Sequence, residues 1–95
     1  MYDRMLRRMR ELVRTSRYVM TVHGHEEMEA DQLTIFDVEE CILRGKIVER
    51  QKDRRTGEWK YVVEGKTVSE HDAVVVSRIG PTGKLIIITV YLVGR

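Results

Sequence analysis

At 95 residues, with 42% hydrophobic and 34% charged side chains, the chain is one folded globular domain (1–95), which excludes a two-domain or a disordered protein. No run approaches the roughly 18 apolar residues that cross a bilayer, and the Arg-rich start lacks the apolar centre of a secretory signal, so the expected location is the cytoplasm. One cysteine, Cys41, excludes an internal disulfide and fits a reducing compartment. The net charge of +2 says little about nucleic acid until its distribution is read along the chain.

Residues 1–15 form a basic amphipathic helix in this reading. Tyr2, Met5, Leu6, Met9, Leu12 and Val13 recur at helical spacing on one stripe, with Arg4, Arg7, Arg8, Arg10 and Arg14 on the opposite face. The plain reading is a solvated basic face. The sharper one makes Arg4, Arg7 and Arg8 phosphate contacts for RNA, or a docking face for an acidic partner. Ser16 to Met20 is either a first edge strand or a linker. Residues 21–45 are a helical region: Thr21 caps a short helix to about Ala30, and Thr34 caps a second with Asp37 in its first turn. Phe36, Val38, Cys41 and Ile42 supply its buried stripe, and Gly45 stops it in a left-handed conformation. Residues 23–50 carry eight acids against three bases, and Glu26, Glu27, Glu29, Asp31, Glu39 and Glu40 read as a solvated acidic face.

After Gly45 the period changes to that of strands. Residues 46–50 and 58–63 pair across a charged loop. Residues 73–79 and 85–93 are apolar or β-branched enough to be central, and Gly80-Pro81-Thr82-Gly83 turns between them. The expected fold is α+β, with the N-terminal helices on one face of a four-stranded antiparallel meander (46–93) and the other face free for a partner.

The residues able to do chemistry are few. His23 and His25 are the first candidates, because imidazole is the side chain best suited to proton transfer at a ribose hydroxyl; the plain alternative is packing or capping at the helix start. Two residues apart, they are no chelating pair, so no metal is expected. Lys60 alternates with Tyr61; projecting from the uncovered face it can stabilise charge developing on a phosphate, as can Lys66 and Arg78, and the plain alternative is a solvated strand cation. Tyr91, grouped with Thr89 and Ile87, stacks on a base or closes the core edge. Trp59 either anchors the hairpin or stacks on a base.

Thr21-x-His23, Met28, Leu33-Thr34-x-x-Asp37-Val38, Ile42-x-x-Gly45-x-Ile47, Tyr61-Val-Val-x-Gly65-Lys66-Thr67 and Ile87-Ile-Thr-Val-Tyr91 together resemble a bacterial family, domain of unknown function 4258, over about residues 20–93. That family is similar to the RelE/ParE-type small toxins. The resemblance implies a toxin of a type II toxin–antitoxin system without cofactors, in the leading reading a metal-independent ribonuclease and otherwise a gyrase poison, which needs no catalytic residues. Its partners would be a cognate antitoxin, of zinc-finger type, and RNA or the ribosome, with a homodimer as a further option and no membrane. His23, Lys60 and Tyr91 carry over as site residues, and Gly65 as a conformational one. The family pattern His-x-x-x-Arg-Met-x-x-Arg is broken here by Glu27 and Asp31, two carboxylates that repel a polyanion. The alternative is a non-catalytic protein-binding or regulatory module of the same fold.

Overall fold

The structure is a computed structural model that describes residues 1–94. Its elements are α1 (Asp3–Arg14), β1 (Tyr18–Met20), α2 (Val22–Ala30), α3 (Ile35–Arg44), β2 (Lys46–Lys52), β3 (Trp59–Lys66), β4 (Asp72–Ile79) and β5 (Leu85–Leu92). β2 to β5 form the expected antiparallel meander, but the sheet has five strands in the order β1-β5-β4-β3-β2. β1 runs parallel to β5, with Tyr18 opposite Leu85 and Met20 opposite Ile87. The expected four-stranded antiparallel sheet is therefore corrected to a five-stranded mixed one. Three residues are too few to show a strand period, and their partner lies some 67 residues on, so nothing local announces the pairing. None of the described helices is long and apolar enough to cross a membrane.

The core lies between the helices and one face of the sheet. Met9, Leu12 and Val13 of α1, Met28 of α2, and Val38, Cys41 and Ile42 of α3 meet Val63, Val75, Leu85, Ile87 and Val90. Val62, Val74 and Val76 form a separate small cluster on the other face, to which no helix contributes. The helix-free face is thus as expected.

Two threonines start the helices. Thr21 Oγ1 accepts from the Gly24 amide at 3.0 Å, and Thr34 with Asp37 forms a full capping box. The end of α3 differs from expectation: Gly45 has φ −87°, an extended conformation open to any residue. Glycine is needed there for closeness. A Cβ on Gly45 would lie 2.4 Å from the carbonyl oxygens of Cys41 and Glu64, and one on Gly65 would lie 2.3 Å from the Cys41 oxygen. The last turn of α3 rests on β3 backbone against backbone. Phe36 is also corrected: it is 67% exposed, and the stripe is carried by Val38, Cys41 and Ile42, with Ile35 and Leu43 half-buried.

Register slips once between β4 and β5, where Val76 faces Thr89 but Ser77 faces Ile87. The extra residue switches side-chain parity. Ile87 is fully buried under the helices, while Thr89 and Tyr91 turn to the helix-free face, so the expected grouping of Tyr91 with Ile87 does not hold.

Gly65→Ala should lower stability by about 1–3 kcal/mol, seen as a fall in Tm, because the added methyl meets a carbonyl that cannot retreat. Burial pushes the Cys41 thiol up from 9.0 to about 12, and burial together with its hydrogen bond to Glu39 pushes Tyr18 from 10.0 to about 12. Both folded values lie above the unfolded ones, so this stability is complete below pH 9 and is lost as pH rises towards 12. Denaturant titrations should show the decline, and Cys41→Ala should flatten its pH 9–10 portion.

Candidate functional site at the helix-free face and the α2 margin

Alternation along β3 puts Lys60, Val62, Glu64 and Lys66 on the helix-free face. Val74, Val76 and Arg78 join them from β4, and Ile86, Thr89 and Tyr91 from β5, with Val62 opposite Val76 and Val74 opposite Tyr91. Lys60, Lys66, Arg78 and Tyr91 therefore share one surface. Two of the cations are engaged. Lys66 Nζ lies 2.7 Å from Asp72, and Arg78, only 19% exposed, is paired with Glu58.

His23 and His25 lie elsewhere. They project from the first turn of α2, which runs along the margin of β5 left uncovered once three-residue β1 ends. Thr21 donates its amide to the Ile87 carbonyl at 2.9 Å. Beyond it Glu27 accepts from the Val90 amide at 3.3 Å, and Asp31 accepts from Leu92 at 2.9 Å. Residues four apart on a helix lie on one face, and alternate amides of a strand point to one side. The two carboxylates therefore continue the ladder that β1 begins. This corrects the reading of Glu27 and Asp31 as a solvated acidic face. Glu39 likewise accepts from the Tyr18 hydroxyl.

His23 Nε2 is 3.2 Å from the same Glu27 oxygen that holds Val90, and His25 Nε2 is 3.1 Å from Glu29. Each histidine thus has its own carboxylate one turn on. In the strand order β5 and β4 separate the α2 margin, which carries His23, from β3, which carries Lys60. The two residues therefore belong to separate parts of the surface. Tyr91 is next in chain to the Val90 that Glu27 holds.

The α1 arginines also divide. Arg4 and Arg8 line a cleft with Arg50 and Tyr61, whereas Arg7 is exposed outside it. Arg10 is half-buried: it donates from Nε to the Ile42 carbonyl at 3.2 Å and from Nη2 to that of Gly45 at 2.6 Å, closing the C-terminus of α3. The edge-capping acids and Arg50 escaped sequence reasoning. The only signal for the former was carboxylates four apart beside a buried methionine. Among the described residues no three His, Cys, Asp or Glu side chains gather as a metal site.

Glu27→Ala should expose the Val90 amide and cost about 1 kcal/mol, while speeding hydrogen exchange at Val90 specifically. Glu26→Ala, on the exposed side of α2, should do neither.

Searches of the curated proteins and of the solved structures each returned no match. The model of one protein family, described as a domain of unknown function (DUF4258), matches residues 20–92, from the end of β1 to the end of β5. With most of its length so matched, the chain belongs to the DUF4258 family.

Proposed function

We propose that this domain is the RNA-cleaving toxin of a bacterial toxin–antitoxin pair, working by acid–base chemistry at the α2–β5 margin and holding its substrate across the helix-free face. The observation that carries the reading is the line from His23 to Glu27 to the Val90 amide, beside Tyr91. Glu27 is fixed by the strand, so it orients the imidazole. His23 stands in ion-pair range of Glu27 with its side chain 67% exposed, so one ring nitrogen can be held by the carboxylate while the other serves as base.

Nδ1 of His23 takes the proton of a ribose 2′-hydroxyl, and the oxygen attacks the adjacent phosphorus. The P–O bond to the 5′-oxygen breaks, leaving a 2′,3′-cyclic phosphate, and the departing oxygen takes its proton from Tyr91. Lys60, further across the face, meets a flanking phosphate, and Lys66 and Arg78 contribute when substrate competes with Asp72 and Glu58. His25 belongs to the margin without a defined step. The cognate antitoxin, of the zinc-finger type the resemblance implies, would silence the protein by covering this face.

The second reading, a binding module without nuclease activity, is favoured by those same ion pairs, which neutralise two of the face's three cations. One assay separates the two. The full chain, incubated with single-stranded RNA in excess EDTA, should yield fragments ending in 2′,3′-cyclic phosphate. His23→Ala and Tyr91→Phe should each slow the reaction by about 100-fold or more. Intact RNA in that assay, together with retention of an antitoxin-type protein partner by wild type but not by Lys60→Glu, would establish the binding module instead.

A further inference from the structure

We infer that the cleft between α1 and the β2–β3 hairpin is a nucleotide-binding site for single-stranded RNA, distinct from the α2–β5 margin and independent of whether the protein cleaves anything. α1 lies outside the residues matched by the family model, whereas Arg50 and Tyr61 of the opposite wall lie within them.

The cleft has a volume of about 610 Å³ and is lined by Tyr2, Arg4, Met5, Arg8, Arg50 and Tyr61, together with Met1. Three guanidinium groups converge on it, and no carboxylate belongs to its described wall. Among the described residues none of Arg4, Arg8 and Arg50 forms an ion pair, unlike Arg44 and Arg78 elsewhere on the surface. Like charges gathered without a counter-charge repel one another, and an arriving anion removes that repulsion. Guanidinium groups also match phosphate oxygens two at a time, which an ammonium cannot do.

The aromatic groups name the second half of the ligand. Tyr2 and Tyr61 meet edge to face, with ring centroids 6.2 Å apart and planes at 76°. That pairing leaves a ring face of one tyrosine directed away from its partner, while Met5 adds an apolar, polarisable wall. Arg50 lies over Trp59 with its guanidinium 4.1 Å from the ring centroid, and Lys52 follows at 5.6 Å. Stacking on Trp59 holds the Arg50 plane in place before any ligand arrives. Phosphate on Arg4, Arg8 and Arg50 with a base against the tyrosines is how single-stranded nucleic acid is held: charge follows the backbone and aromatic faces take the bases. An acidic peptide would use the arginines and leave the ring wall idle.

The test uses the full chain and a fluorescein-labelled 2′-O-methyl oligoadenylate of eight nucleotides, which cannot be cleaved through its 2′-position, so failure of the cleavage reading leaves this measurement intact. Trp59, the sole tryptophan, reports on its own. Oligonucleotide anisotropy should saturate together with a change in Trp59 emission. Arg8→Gln and Arg50→Gln should each raise Kd roughly tenfold, and Tyr61→Leu by a similar factor. Each arginine removed from the cleft should also flatten the dependence of log affinity on log salt by about 0.7. Arg14→Gln removes the same charge from the same helix outside the cleft and should change Kd less than twofold. The inference fails if Arg14→Gln matches Arg8→Gln, if Trp59 emission does not follow binding, if Tyr61→Leu binds as wild type, or if polyglutamate competes as well as the oligonucleotide.

Discussion

The placement of α3, and of α1 through it, follows from one close approach, the Cys41 carbonyl of α3 against the bare Cα of Gly65 in β3, with Gly45 wedged beside them. Side chains normally hold a helix and a sheet apart; here the absence of two of them lets the last turn of α3 settle onto the strand. The carbonyls at that helix end would otherwise lack donors, and Arg10 of α1 supplies them at Ile42 and Gly45. α1 is thereby anchored by its middle. Its first turn is carried out over β2 and β3, where Arg4 and Arg8 come to stand beside Arg50 and Tyr61. A backbone contact in the core thus sets the position of a charged surface.

The α2 margin solves a different problem. β1 pairs with only three residues of β5, which leaves the amides of Val90 and Leu92 needing acceptors. Glu27 and Asp31 provide them, replacing a strand by two side chains of a helix. The same carboxylate then steadies His23, so a structural repair and a chemical arrangement share one oxygen atom. Because α2 is engaged with the margin and with the main core through Met28, it does not fold over the helix-free face.

Much of this was legible in the residues. Thr21 and Thr34 announced their caps, Cys41 its burial, the strand run after Gly45 its meander, and Lys60 its uncovered face, because each rests on local chemistry or short periodicity. What escaped depends on contacts distant in sequence. The pairing of β1 with β5 has no local signature, and the slip between Val76 and Ser77 reverses the parity that put Tyr91 with Ile87. Glu27 and Asp31 looked like solvated acids because their partners are backbone amides some 60 residues away. Glycine at 45 was legible as a helix end, but the reason for it was not: the constraint is crowding by Glu64 and Cys41, not torsion. The distance between His23 and Lys60 is a matter of strand order, which side-chain types do not encode.

An open sheet is a template on which further chains can polymerise, and this one has two lateral borders. On the α2 side the β5 amides beyond β1 are already occupied by carboxylates, and an incoming strand would have to evict a helix. On the other side β2 is bare, yet its register breaks between Ile47 and Glu49 and its remaining length reads Glu49-Arg50-Gln51-Lys52. A kinked, densely charged border pairs poorly with a copy of itself. The architecture therefore resists growth into fibrils from either flank.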